Sequence, residues 1–409
     1  MRKSEFYREA RTDLPGPLAG LRVVEATTTW AGPMCGCVLA DFGADVVKVE
    51  PPGGDVARRL PPALPGTRPP VSAVHATVNR NKRSLTLDLA APRGRELFLR
   101  LAATADVVVE NFRPGALERL GLGYRDLRAM NPDLVLVSIS GFGQFGRDCE
   151  RAGYDPLAQA ASGFLSLSGE PGGAPVKAPT FLGDDLAGLH AALAALAALR
   201  HRDRTGEGQH VDVSLLDALW FQTPGYLTLG ALGAELPRLG NQFRIAAPAN
   251  AYRCRDGHVV AGVVLDDHWR VLAGLLGRPE LADDPAYATG PARLARRDAV
   301  DGLLAAWLAQ RSVDEAVDQL SRAGLPVAPV RSYADAARDP LVRERDMLQP
   351  ADVEGARRVP IAGPPAKLSR TPTRVRTGAP ALGAHTDEIL AELGVDDAEL
   401  AELRRDGVV

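Results

Sequence analysis

Short valine-rich runs alternate with helix-length segments through the first 140 residues. That alternation is the feature that most restricts what this chain can fold into. Leu21–Ala26 (LRVVEA), Ala44–Glu50 (ADVVKVE), Ser84–Leu89, Ala105–Glu110 (ADVVVE) and Asp133–Ser140 (DLVLVSIS) read as strands buried on both faces. Between them, Met34–Phe42 suits a short helix, Pro92 opens a helix with Leu97, Leu99, Leu101 and Ala102 as its apolar positions, and Pro114–Met130 reads as helical. Repeated β-α-β units imply an α/β fold with a parallel sheet covered on both sides.

Downstream, Asp184–Arg200 is an alanine/leucine helix, RTGEGQ (204–209) a turn, His210–Ser214 a strand, and a further helix begins near Leu215. From about Leu227 the pattern changes. Asn250–Cys254 and His258–Val264 read as a hairpin around Asp256-Gly257, and helices follow through Gln319. The expected organisation is an arm (1–17), a large α/β domain (18–227), a smaller α+β domain (228–330) and a C-terminal segment (331–409). That last segment has a short strand near Val359 and a last helix at Asp387–Leu393.

Composition excludes several classes. With 48 Lys+Arg against 51 Asp+Glu, the net charge is −3, which lacks the basic surplus that nucleic acid or an anionic membrane recruits. Four cysteines in 409 residues make no disulfide framework. The N-terminus has no apolar core, and the run Leu189–Leu199 is shorter than a bilayer requires. The expectation is a cytoplasmic protein with no membrane partner.

Gly141, Gly143 and Gly146 form the single GxGxxG. No helix starts at the third glycine to aim at a pyrophosphate, because Gly153 and Pro156 break any early helix. Glu50 ends the second strand as an NAD-ribose binder would, but the preceding turn, TTTWAGP, has no paired glycines. These glycines read as tight turns at the carboxyl edge of the sheet. There is no GxSxG and no HExxH; Cys35 and Cys37 read as small core residues and His190 as a packing residue, so no metal site is expected. Asp184 and Asp185 open the alanine-rich helix. One suffices as N-cap. The other then sits in the first turn, where the helix dipole favours an ionised carboxylate, and Gly183 clears a ligand's approach. Such a carboxylate can act as a nucleophile without a general base.

Several blocks together carry a resemblance: LAGLRVVEATTTWAGPMCGCVLADFGADVVKVEPPGGD (18–55), NRNKRSLTLDL (79–89), ADVVVENFRPGALERLGLGY (105–124), NPDLVLVSISGFGQFG (131–146), GYDPLAQAASG (153–163), GDDLAG (183–188), RTGEGQHVDVSLLDA (204–218) and LGAHTDEILAELG (382–394). Over about 18–409 the chain resembles the family III coenzyme A transferases, the CaiB/BaiF family. The resemblance implies a Rossmann-like large domain completed by the C-terminal segment, and a homodimer of interlocked chains. It implies a nucleophile in a GDxxxG pattern, which maps to Asp184, with Asp185 in the variable place. CoA contacts carry over to Trp30 and Ala31, to Leu85, Thr86, Leu87 and Asp88, to Asn111, Phe112, Arg113 and Arg119, and to Ala152, Gly153, Tyr154 and Asp155. Trp30 stands where some members carry glutamine, and the 239–252 loop, LGNQFRIAAPANAY, lacks the consecutive glycines of the formyl-CoA/oxalate branch.

The implied activity moves CoA from an acyl-CoA to a free carboxylic acid through an aspartyl anhydride and an aspartyl-CoA thioester. Backbone N–H groups near Gly183 or in 241–250 would stabilise the oxyanions. CoA and acyl-CoA are then substrates, and no prosthetic group or metal is required. The alternatives are a non-catalytic CoA-binding subunit and the α-methylacyl-CoA racemases of the same superfamily, which use a histidine in a GHD pattern. This chain has Tyr154 in that place, and a phenol of pKa ~10 is a poor base near neutrality.

Overall fold

Six parallel strands form the central sheet: β1 (Arg22–Ala26), β2 (Asp45–Glu50), β3 (Lys82–Thr86), β4 (Val107–Glu110), β5 (Val135–Ser140) and β6 (His210–Ser214). Their order is β3-β2-β1-β4-β5-β6. The strand order reverses between β1 and β4, and in doubly wound sheets that switch point is where ligands bind. Val24 pairs with Val47 on one side and Val108 on the other. The period-2 pleat divides the valines between two cores. Val23, Val107, Val109, Val135 and Val137 face one layer with Ala187, Ala191, Ala195 and Ala198. Val24, Val47, Val108 and Leu136 face the other, with Leu97, Phe98, Leu101, Ile389 and Leu390.

The structure, a computed structural model, describes all 409 residues. The chain divides into two compact units. The first comprises Met1–Phe164, Lys177–Thr228 and Pro340–Val409, and the second Leu165–Val176 and Leu229–Asp339. The second contains the antiparallel sheet of β7 (Ala249–Arg253), β8 (His258–Gly262) and β9 (Val327–Pro329), so the expected hairpin around Asp256-Gly257 is present. Its core is built on Trp269, Val259, Leu304 and Leu320.

Several local expectations are corrected. Pro114–Met130 is two short helices, Ala116–Arg119 and Tyr124–Met130, because Gly115 and Gly121 take positive φ. Pro156 starts a helix, Asp155–Ala161, instead of breaking one, since proline is tolerated in the first turn. The strand near Val359 is one arm of a hairpin, β10 (Leu348–Val353) and β11 (Ala356–Ala362). Beyond the helix at Thr386–Glu392 lies a further one, Asp397–Arg405, capped by Asp396. The alanine-rich helix spans Leu182–Thr205. By length and composition it could cross a bilayer. Its small-residue face is instead buried on the sheet.

Candidate active site

The loop leaving β1, Thr27–Trp30, and the loop leaving β4, Asn111–Arg113, flank the switch point. Asn111 bridges them: its Oδ1 accepts from Thr28 N at 2.8 Å and its Nδ2 donates to Thr28 O at 2.8 Å. Asp55 accepts from Thr28 Oγ1 at 2.7 Å and from Thr29 N at 3.1 Å. Ala31 opens the next helix, Ala31–Asp41. A Cβ on Gly188 would lie 2.7 Å from Ala31 O. The second glycine of GDxxxG therefore lets the Leu182–Thr205 helix touch the N-terminus of the helix after β1. That close approach brings Trp30 beside the acidic first turn, where its Nε1 donates to Asp185 Oδ1 at 2.6 Å.

Three carboxylates meet at this helix start. Asp155 is buried; its Oδ1 accepts from Gly183 N at 2.6 Å and its Oδ2 from Gln159 Nε2 at 2.7 Å. Asp185 Oδ2 accepts from Thr180 Oγ1 at 3.1 Å. Asp184 has no hydrogen-bond partner. The expectation that Asp184 or Asp185 caps the helix is therefore corrected. The N-cap position is Phe181, both aspartates lie in the first turn, and the open N–H of Gly183 is met by Asp155 from 28 residues upstream. Gly183 is small for the same reason, since its Cβ would approach Asp155 Oδ1 to 3.2 Å. The expectation that the helix dipole keeps the carboxylate ionised is also corrected. Burial, then the charges of Asp155 and Asp185, push Asp184 up to about 7. Burial raises Asp185 as well, against the hydrogen bonds from Trp30 and Thr180.

The remaining sequence-derived residues divide into those that can meet a ligand and those committed elsewhere. Arg113 and Arg119 are exposed and have no acidic partner, so both are free for phosphate oxygens. Glu110 is buried, and its Oε2 accepts from Phe112 N at 2.8 Å, which sets the course of the loop carrying Arg113. Leu85 and Leu87 lie in the second core layer, so only their backbone is available to a ligand. Thr86 Oγ1 is hydrogen-bonded to Thr386 Oγ1 at 3.0 Å, and Asp88 N donates to Val408 O at 2.8 Å. Ala152 and Tyr154 are exposed. Gly153 is required by crowding, since a Cβ there would lie 2.9 Å from both Gly141 Cα and Phe142 Cε2. Gly143 and Gly146 take positive φ, as tight turns do.

A buried charge network under the β1 loop was not anticipated. Lys48 Nζ meets Glu25 Oε1 at 3.3 Å, Asp55 Oδ2 at 3.2 Å and Thr27 O at 3.0 Å. Lys82 Nζ meets Glu25 Oε2 at 2.6 Å, Pro33 O at 2.9 Å and Asn79 Oδ1 at 3.0 Å. All four charged residues are nearly or fully buried. Burial alone would raise Asp55, but Lys48 and the hydrogen bonds from the loop hold it down at about 2. The sequence signal is only partial: Lys48, one of five lysines, falls inside a valine-rich strand, but its pairing with Glu25 across β2 and β1 is set by the sheet register. No group of three or more His, Cys, Asp or Glu is arranged to hold a metal ion.

Comparison with known proteins gives one answer. The model of CoA-transferase family III matches residues 18–386. The succinyl-CoA:mesaconate CoA-transferase of Haloarcula hispanica is 40% identical over 387 residues, covering 93% of this chain and 97% of that one. The succinate–glutarate CoA-transferase of Agrobacterium fabrum is 39% identical over 394 residues, covering 93% and 98%. A crystal structure of a CaiB/BaiF family protein from Brucella suis superposes with a TM-score of 0.83 at 38% identity, covering 93% of this chain and 100% of that one. This chain belongs to CoA-transferase family III, the CaiB/BaiF proteins, and is a CoA-transferase.

Proposed function

We propose that the chain moves CoA from succinyl-CoA to a short dicarboxylic acid, with Asp184 as covalent nucleophile. The single observation that supports Asp184 is its lack of a partner. Asp155 and Asp185 have both oxygens engaged, whereas Asp184 has neither. The donor is suggested by the relatives, whose names pair succinyl-CoA with mesaconate and succinate with glutarate.

An Asp184 oxygen attacks the thioester carbonyl, the C–S bond breaks, and CoA leaves as thiolate. The thiolate attacks the aspartyl carbonyl of the mixed anhydride, releasing the donor carboxylate and leaving an aspartyl-CoA thioester. The acceptor carboxylate displaces the thiolate to form a second anhydride. The returning thiolate takes the acceptor acyl group and regenerates Asp184. Every covalent intermediate is neutral at Asp184, so each acylation removes one of three crowded negative charges. The same crowding that raises its pKa makes Asp184 a more basic nucleophile than a solvated aspartate. No proton is gained or lost in the cycle, and no metal or prosthetic group takes part. Arg113 and Arg119 are proposed to hold CoA phosphates. The active species is proposed to be an interlocked homodimer; the exposed Leu193 and Phe221 supply apolar surface for a second chain.

The α-methylacyl-CoA racemase alternative has less support. Tyr154, in the place of the racemase histidine, is 62% exposed and its hydroxyl touches no other polar group. A mass-spectrometric transfer screen of succinyl-CoA against C4 and C5 dicarboxylates tests the reading. New acyl-CoAs with mass-matched release of succinate support it. Deuterium entering the α-carbon of a 2-methylacyl-CoA without transfer to any acid overturns it.

A further inference from the structure

One fully buried amide beside the nucleophile's helix turn takes no part in the chemistry at Asp184. Gln159 stands one helical turn after Asp155 in the helix Asp155–Ala161, so the two side chains share a face. Its Nε2 donates to Asp155 Oδ2 at 2.7 Å, and its Oε1 accepts from Ala178 N at 2.9 Å. That orientation of the amide is forced, since an ionised carboxylate needs a donor and a main-chain N–H needs an acceptor. Asp155 Oδ1 in turn accepts from Gly183 N at 2.6 Å. The bonds close a ring: Ala178, Gln159, Asp155, Gly183, and back along the chain that enters the helix at Leu182. Thr180 lies on that stretch of chain, and its Oγ1 donates to Asp185 Oδ2 at 3.1 Å. A Cβ on Gly183 would lie 3.2 Å from Leu219 Cδ1 and 3.7 Å from Leu215 Cβ. Both leucines are buried, and their apolar side chains offer Asp155 no donor in place of Gln159.

We infer that Gln159 is a positioning residue for CoA transfer: its amide ties Asp155 to Ala178, holds the ring that closes on Gly183 N, and so fixes the helix turn that presents Asp184. The inference rests on the reading of Asp184 as nucleophile. Without the amide, Asp155 Oδ2 and Ala178 N lose the partner they share, and buried polar groups left unpaired rearrange. Both ends of the ring are within six residues of Asp184 in the chain, and a misplacement of about 1 Å at a reacting group costs about a hundredfold in rate.

The test compares Gln159→Met, the exchanged pair Asp155→Asn/Gln159→Glu, the control pair Asp155→Asn/Gln159→Met and Asp184→Ala. It uses succinyl-CoA first and otherwise the donor–acceptor pair of highest turnover, below the melting transition of each variant. Methionine fills the space and removes both side-chain bonds. Its kcat is expected to fall about ten- to a hundredfold, with KM for the acyl-CoA within about twofold. The exchanged pair keeps one negative charge and all three bonds. The asparagine oxygen accepts from Gly183 N, its amide nitrogen donates to the glutamate, and the glutamate accepts from Ala178 N. Its kcat is expected to lie within about fivefold of the parent, and at least about fivefold above the control pair, which differs from it at position 159 alone. A buried residue that only supports folding would lower the melting temperature and leave kcat in place. Parent-like kcat in folded Gln159→Met overturns the positioning role. So does an exchanged pair that melts with the parent and is no faster than the control pair, or that is more than tenfold slower than the parent where a control pair does not fold. Asp184→Ala separates the two claims. Lost transfer there beside an unaffected Gln159→Met removes only the positioning role. Transfer persisting in Asp184→Ala removes the nucleophile and the role of Gln159 with it.

Discussion

In Asp184→Asn the side chain keeps its shape and loses its charge, so stability and activity should move in opposite directions. Folded Asp184 titrates at about 7, while an unfolded aspartate titrates near ~4. Between those values the folded chain binds more protons than the unfolded one, so raising the pH weakens the folded state. Each tenfold change in acidity is worth about 1.4 kcal/mol, which puts the full displacement on the order of 4 kcal/mol. Solvent still reaches part of the side chain and two neighbours titrate with it, so about half, ~2 kcal/mol, is the working magnitude. Asparagine carries no such penalty. Urea unfolding of both proteins should therefore coincide at about pH 3, below the unfolded pKa, and diverge as pH rises, with the variant more stable by ~2 kcal/mol at pH 8 while CoA transfer is abolished. A difference that stays flat between pH 5 and pH 8, or a variant less stable at pH 8, would refute the claim that burial and the two neighbouring carboxylates destabilise the charge.

Asp155→Asn keeps an oxygen for Gly183 N and removes a negative charge beside Asp184. The acidic limb of the pH–kcat profile should shift to lower pH, measured by initial transfer rates from pH 5 to 8. Lys48→Met leaves Glu25 and Asp55 buried without one of their cations, and should cost about 3–5 kcal/mol in urea unfolding. Arg113→Ala and Arg119→Ala should raise KM for acyl-CoA and flatten its dependence on salt, with kcat little changed, in steady-state kinetics at 50 and 200 mM salt, on the order of the usual range for phosphate contacts.

The five strands named between Leu21 and Ser140 were legible because valine runs buried on both faces leave few alternatives. The turn at Asp256-Gly257 was legible from local chemistry alone. Local patterns failed where distance in sequence decided the outcome. Asp155 meets Gly183 from 28 residues away, so no inspection of Gly183–Gly188 could show that neither adjacent aspartate is the cap. The state of Asp184 was misjudged because the dipole of a helix start is a local quantity, while burial and Asp155 are tertiary ones. Pro156 was read as a breaker because nothing local says whether a proline lies before or within a helix's first turn. The buried partners of Lys48 and Lys82 were not legible. Their meaning depends on pairing across three strands, which the parallel order supplies.

The covalent intermediate is the most direct test of the central claim. The protein is incubated with succinyl-CoA and no acceptor, digested, and searched for a peptide containing Gly183–Gly188 that has gained CoA less water. Hydroxylamine should then convert Asp184, and not Asp185, to its hydroxamate. Rapid transfer of CoA to an acceptor acid with no adduct on this peptide, or with the hydroxamate on Asp185, would contradict the account.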